Sequence, residues 1–351
     1  YCSLYYEWPY SMLTQFLRLG DREFLDVAED MVRHRYDIDQ YHVENTETHL
    51  GGFQRYEKGE HGHLERQGEY NLQWETNPAA SHTWNRCLLL HWALTGDPRS
   101  LEAAMQNGRA YQRFFYQQHK LGEKAKLLWD EFRTPVWAME NWLALYEYTG
   151  DKKYLDWTNE IFNKTILAME KDNGSKGHIL KEGRQGAQFV GYMVEPVSRL
   201  HHLTGRKDAI EFLRRVLDWQ REAGTLRGWE RNGKYYALLW REDWDHNPGP
   251  DAFITIGVGN SYDFPLCDGY AYLYHVLGRS RDLDFARQLF REGVFYYGLF
   301  NGAAPGERTP LGYHFLAHTF GSTPKVHAWT GRYGQFYLFT ESQNGAFKRD
   351  R

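Results

Sequence analysis

Apolar residues recur at helical spacing along most of the chain, and the segments that carry them are of two kinds. One kind has a single apolar stripe, as in Phe24, Val27, Ala28 and Met31, or Ile210, Leu213, Val216 and Leu217. The other is apolar on most sides: Cys87 to Leu94, Trp137 to Tyr148, Gly269 to Leu277. A helix that is apolar all round is buried, whereas a striped helix turns its other side to water, so the two kinds predict an inner and an outer layer. Between them recurs a short phrase: Leu19-Gly20-Asp21, Thr95-Gly96-Asp97, Thr149-Gly150-Asp151, Thr204-Gly205-Arg206 and Leu277-Gly278-Arg279. Glycine ends one helix in the left-handed conformation and aspartate caps the next, with Asp97-Pro98 adding proline where its missing N–H costs nothing. These corners, and a last inner helix expected over Gly331 to Phe339, predict an all-α fold. The expected architecture is an (α/α)6 toroid of helical hairpins, one domain over residues 1–351, with the long loops on one face. An open solenoid of helix pairs is the alternative.

In such a ring the short turns lead from inner helices to outer ones, so the long connections return together to the N-termini of the inner helices. They cover roughly residues 37–81, 119–134, 171–186, 223–261 and 298–327. Helix N-termini favour anions through their free N–H groups and dipoles. Most of the 16 histidines fall in these connections or just after them: His42, His49, His61, His63, His82, His178, His246, His314, His318 and His327. The first connection also carries Gly51-Gly52-Phe53-Gln54-Arg55-Tyr56-Glu57-Lys58, and it ends in Ser81-His82-Thr83-Trp84, where Ser81 is the expected cap of the next inner helix.

Composition sharpens this picture in one respect. Aromatic residues make up 17% of the chain, with 13 Trp, 25 Tyr and 20 Phe, more than an aliphatic core needs. Tyr and Trp offer a flat apolar body with a polar tip, suited to stacking on sugar rings, although any single ring is equally at home between helices. The hydrophobic share of 42% and charged share of 25% are those of an ordinary folded protein. A net charge of −4 without long runs of one sign leaves no footprint for nucleic acid or an anionic membrane. Cys2, Cys87 and Cys267 are too far apart for a zinc ribbon or a disulfide framework, so secreted, periplasmic and cytoplasmic locations all stay open. The chain opens on Tyr5-Tyr6-Glu7-Trp8-Pro9, in mid-structure character, which leads us to expect a preceding domain or signal.

Three chemistries fit the loops. A lyase acting on an acidic polysaccharide must neutralise a uronate carboxylate, remove the proton beside it and protonate the leaving oxygen. Arg55 and Lys58 suit the first task, a histidine among His61, His63 and His82 the second, and Tyr56 the third or an orienting role. His42, His49, Trp84, Trp129, Arg133, Trp244, His314 and His318 are candidate substrate-binding residues. A hydrolase would instead use paired carboxylates, for which Asp130 and Glu131, or Asp243 and Asp245, are candidates beside tryptophans. Metal binding could draw on His61 and His63 with Asp37, Asp39, His42 and His49. No spacing there matches a zinc protease or calcium loop, so no cofactor is required and a divalent cation such as calcium bridging an acidic sugar is the most that is expected. A non-catalytic carbohydrate-binding toroid would explain the aromatics but not the crowding of titratable groups.

Asp37 to His42, Gly51 to Lys58 with His61 and His63, and Ser81-His82-Thr83-Trp84 followed by Leu88-Leu89-Leu90 and Thr95-Gly96-Asp97 resemble the α/α toroid domain of the exo-acting rhamnogalacturonan lyase family. The resemblance covers most of the chain in architecture and is sharp between about residues 37 and 110. It implies cleavage of the galacturonate–rhamnose backbone of pectin on the cup of the toroid, and β-rich domains preceding it. The residue roles given above rest on chemistry and position, not on matched family residues.

Overall fold

The corner phrase folds as its chemistry requires. The computed structural model describes residues 7–42, 50–52, 83–113, 115, 133–172, 174–179, 187–231, 234–240, 263–292 and 331–345. Helices α1 (Trp8–Leu19) and α2 (Arg22–Asp37) meet at Gly20, α3 (Arg86–Thr95) and α4 (Pro98–Arg113) at Gly96, and α5 (Arg133–Thr149) and α6 (Lys152–Ile161) at Gly150. A π-helical turn, Phe162–Leu167, and a short helix α7 (Ala168–Asp172) come next. Then α8 (Ala187–Thr204) and α9 (Lys207–Glu222) meet at Gly205, and α10 (Asp263–Leu277) and α11 (Ser280–Glu292) at Gly278, before α12 (Gln335–Gln343).

All five corner glycines have φ near +70°, from 68° at Gly20 to 74° at Gly96. Asp21, Asp97 and Asp151 accept the N–H of Glu23, Arg99 and Lys153 at 3.0, 3.0 and 3.1 Å, each capping its helix. The threonines add a second tie, since Thr95 and Thr149 donate to the carbonyls of His91 and Leu145 at 2.7 and 2.6 Å and accept from the N–H of Asp97 and Asp151.

The helices pack as two compact units. One holds α1 to α6 together with Arg332, the other α7 to α12. In the first, α3 packs on α1 and α5, and each of the three is backed by its own outer helix. Trp84 and Trp137 meet edge to face at 5.5 Å, and Trp142 donates from its indole to the Gly108 carbonyl at 2.9 Å. In the second unit, α10 packs on α8, α9, α11 and α12. Tyr270 packs edge to face on Phe285 at 4.9 Å and donates to the Leu217 carbonyl at 2.7 Å. Of the helices expected to be inner, α5 is buried nearly all round: Val136, Trp137, Ala138, Met139, Trp142, Leu143, Ala144 and Leu145 are all in the core. Among the described residues no helix is long and apolar enough to cross a membrane.

Two elements depart from the expectation. The connection after α9 is not all loop: β1 (Thr225–Arg231) and β2 (Lys234–Trp240) pair antiparallel, from Thr225 opposite Trp240 to Arg231 opposite Lys234. Asn232-Gly233 lies between the strands in sequence and is the dipeptide favoured in two-residue hairpins, so the signal was present in the chain. The last inner helix begins later than expected, at Gln335 rather than Gly331. Gly334 takes φ +82° ahead of it, and Asp268 on α10 supplies the cap by accepting the N–H groups of Gly334 and Tyr337 at 2.7 and 2.9 Å.

Burial pushes the Asp268 carboxyl up to about 7, against the downward pull of those N–H donors. A folded value above the unfolded one means that this group favours the folded state fully below pH ~4 and loses that contribution as pH rises through about 7. Asp268→Asn cannot ionise. Urea unfolding across pH 4–8 is therefore expected to show the wild type losing stability relative to the variant as pH rises, and parallel profiles would refute the assignment.

Candidate functional site

In the first unit, hydrogen bonds tie the start of α3 to the N-cap of α1 and to the middle of α5. Glu7, the N-cap residue of α1, reaches across so that its Oε1 accepts the backbone N–H of Cys87 in the first turn of α3 at 3.0 Å. Asn85, the N-cap residue of α3, donates through Nδ2 to the Asn141 carbonyl on α5 at 3.3 Å. This corrects the expectation for Ser81, which lies outside the described residues: α3 starts at Arg86 with Asn85 as its N-cap residue, and the Glu7 carboxylate meets the free N–H of Cys87.

The floor of this region is an ion cluster. Arg332 donates from Nη1 to Glu7 Oε2 at 2.9 Å and from Nη2 to Glu140 Oε1. The side chains of Arg332, Glu7 and Glu140 are 1%, 1% and 0% exposed. The Tyr10 ring has two guanidinium groups near it, Arg86 at 4.9 Å and Arg332 at 5.6 Å from its centroid. Burial raises the Glu7 carboxyl above the ordinary glutamate value, opposed by the charge of Arg332. Two carboxylates on one guanidinium, with no exposed face, form a structural tie; neither can approach a glycosidic bond and a water together. Burial pushes the Cys87 thiol up to about 12, which removes it as a nucleophile.

The described residues of the connection between α2 and α3 are held by the same unit. Thr83, just before α3, has its carbonyl held by the Tyr111 hydroxyl at 3.0 Å and by Asn141 Nδ2 at 2.9 Å. Gly51 and Gly52 exchange two backbone bonds with Tyr41, at 2.8 and 2.9 Å.

Of the residues singled out from the sequence, His42 is exposed, and its Nε2 lies against the Tyr36 carbonyl at the end of α2. Trp84 is 1% exposed, and its ring is taken up by packing on Trp137 in the core. Arg133 is the first residue of α5. Arg55, Tyr56, Lys58, His61, His63 and His82 lie outside the described residues, as do His49, Trp129, Trp244, His314 and His318. The carboxylates Asp130, Glu131, Asp243 and Asp245 do so as well. Of the candidate metal ligands, Asp39 is buried and bonded to His34 Nδ1 at 3.0 Å, while Asp37 ends α2. Among the described residues no group of three His, Cys, Asp or Glu side chains is placed to hold a metal ion.

Sequence reasoning missed Glu7, Glu140 and Arg332. No spacing could have found them, because Arg332 stands 325 residues from Glu7 and 192 from Glu140. Each of the two glutamates belongs to an inner-helix segment whose buried polar residue was the available hint.

No protein-family model matches the sequence, and no curated protein matches it. Among solved structures, the chain is similar to cellobiose 2-epimerase from Bacillus thermoamylovorans B4167, at 10% identity and TM-score 0.57, over 95% of this chain and 86% of that one. It is similar to a GH76 α-mannanase from Bacteroides thetaiotaomicron at 12% identity and TM-score 0.56, over 97% of this chain and 87% of that one. It also aligns with an unsaturated glucuronyl hydrolase from Bacillus sp. GL1 at 13% identity and TM-score 0.42, over 62% of this chain and spanning 57% of that chain's length. The likeness to the epimerase and the mannanase is one of fold: this chain is an all-α toroid of helical hairpins.

Proposed function

We propose that the chain is a carbohydrate-active enzyme, a polysaccharide lyase that cleaves an acidic, rhamnogalacturonan-like pectic polysaccharide by β-elimination. The observation that carries this reading is the anchoring of Gly51–Gly52 and Thr83, which flank in sequence the segment 53–82 with its arginine, lysine and histidines, on the unit in which the starts of α1 and α3 meet. Arg55 and Lys58 neutralise the uronate carboxylate. A histidine among His61, His63 and His82 takes the proton from the carbon beside that carboxylate, the bond to the leaving oxygen breaks, a carbon–carbon double bond forms, and Tyr56 returns a proton to the oxygen or orients it. His42, His49, Trp129, Arg133, Trp244, His314 and His318 bind the sugars. A divalent cation such as calcium serves at most to bridge the acidic polymer. Support for a sugar substrate comes from the likeness in fold to an epimerase of cellobiose and to a mannanase.

The second reading is a glycoside hydrolase using Asp130 with Glu131, or Asp243 with Asp245; the likeness to the GH76 mannanase favours it. Incubation with rhamnogalacturonan separates the two. Elimination produces ultraviolet absorbance from unsaturated uronates, and Arg55→Ala or His82→Ala is expected to lower that rate by about 10²–10⁴-fold. New reducing ends without absorbance would replace elimination by hydrolysis, and binding without products would leave a carbohydrate-binding protein.

A further inference from the structure

A band of aromatic rings crosses α8, α10 and α12 of the second unit. Tyr270 on α10 points to the outer layer, meeting Phe285 on α11 and the Leu217 carbonyl on α9. Two positions along a helix turn a side chain by about 200°, so Tyr272 leaves α10 on nearly the opposite side. There its ring meets His201 of α8 edge to face at 5.8 Å and Phe336 of α12 at 5.5 Å. Phe336 continues the band to His275 at 5.7 Å and to Phe339 at 6.1 Å. Water reaches it: Phe339 is 51% exposed, His275 is exposed, His201 and Phe336 are half-buried, and Tyr272 is 8% exposed. His201 and His275 stand in the last turns of α8 and α10, the ends away from the long connections that lead into these helices.

The polar edge of the band is unused. Tyr272 and His201 share one hydrogen bond, 2.6 Å between the hydroxyl and Nδ1. Among the described residues, His201 Nε2 and both ring nitrogens of His275 have no hydrogen-bond partner. Burial, and after it His202, holds the His201 ring below the usual histidine value, and burial alone pushes the Tyr272 hydroxyl up to about 12, so no carboxylate, lysine or arginine acts on either. At pH 7 the histidine is neutral and the tyrosine keeps its proton. A hydroxyl donating to Nδ1 then leaves Nε2 with an N–H to offer outwards.

We propose that this band binds an uncharged saccharide whose rings present flat C–H faces, such as a β-linked glucan, with Phe336 and Phe339 as platform and His201 and His275 as hydrogen-bonding edge. Aromatic faces take up the apolar side of such a sugar ring. The hydroxyls around its rim satisfy ring nitrogens that a packed protein surface would bury unpaired. An uncharged surface matches an uncharged ligand, which sets this band apart from a site for an acidic polymer. Binding here is separate from elimination, so a chain inert on rhamnogalacturonan leaves it standing.

The test titrates the full chain with cellohexaose and follows the histidine and phenylalanine ring signals by NMR. The signals of His201, His275, Phe336 and Phe339 are expected to shift together with a Kd of about 1 mM, and salt is expected to leave that Kd unchanged because no charge is involved. Phe339→Ser and His275→Ala, both at exposed positions, are expected to weaken binding about threefold to tenfold. Leu17→Ser, at a similarly exposed position in the first unit, is expected to leave it unaltered. Ring signals that stay still up to about 20 mM sugar would overturn the proposal, as would full affinity in both band variants. Self-association of the chain that Phe339→Ser abolishes, seen by sedimentation in place of sugar binding, would give the band to a second copy and overturn it equally.

Discussion

Arg332→Met is expected to destabilise the first unit by roughly 3–5 kcal/mol, the range found when one partner of a buried ion pair is removed. Arg332 links Glu7 Oε2 to Glu140 Oε1, and both carboxylates are shut away from water at 1% and 0% exposure. Methionine fills much of the same space and leaves two buried charges facing each other. The cost reaches further than the pair, because Glu7 also caps α3 through the N–H of Cys87. The pH dependence follows from Glu7. Its carboxyl is already raised by burial, with Arg332 holding it down, so the variant should raise it more. With the folded value above the unfolded one, the contribution of Glu7 is favourable at low pH and lost as pH rises through the folded value. The deficit of the variant should therefore shrink on going from pH 7 to pH 5. Thermal and urea unfolding at both pH values provide the measurement. Glu7→Gln and Glu140→Gln combined with Arg332→Met should restore much of the loss, since neutral groups need no counter-charge. A single variant within about 1 kcal/mol of the wild type at pH 7 would mean that the cluster does not hold the helices together.

Gly51→Ala and Gly177→Ala should each cost about 3 kcal/mol or more, whereas Gly96→Ala should cost only about 1 kcal/mol. All three glycines have positive φ, at 80°, 77° and 74°, so the backbone strain of a side chain is common to them. What separates them is space. A Cβ at Gly96 meets nothing within 4 Å, whereas at Gly51 and Gly177 it would lie 2.2 Å from the backbone oxygens of Gln106 and Arg215. No rotamer change relieves a clash with backbone, so the loop has to move off the helix. Gln106 and Arg215 occupy the same position in α4 and α9 counted from the first residue of each, so the two units use the same seat for a returning loop. At Gly177 the seat is reinforced, because its N–H reaches Glu170 Oε1 at 3.0 Å and Glu170 grips Arg215 through two contacts of 2.7 Å. Thermal unfolding of the three variants decides the matter, and equal losses at all three positions would dismiss the seat.

The corners and the two helical layers were legible in the chain itself. Each depends on chemistry acting within a few residues: glycine taking positive φ at Gly20, Gly96, Gly150, Gly205 and Gly278, aspartate accepting an N–H two positions on, and apolar residues repeating along one face or all round. The hairpin over β1 and β2 was equally legible, in Asn232-Gly233. The remaining features are choices of partner, and local rules are silent on these. Glu7 could have been a solvated charge, Trp84 a sugar platform, and Asn107 or Tyr111 ordinary polar residues on an outer helix. Packing instead gave Glu7 both Arg332 and the N-terminus of α3, buried Trp84 against Trp137, and set Asn107 and Tyr111 against two carbonyls far apart in the chain. A buried polar group must find a partner, but which one it finds depends on how the helices come together in three dimensions.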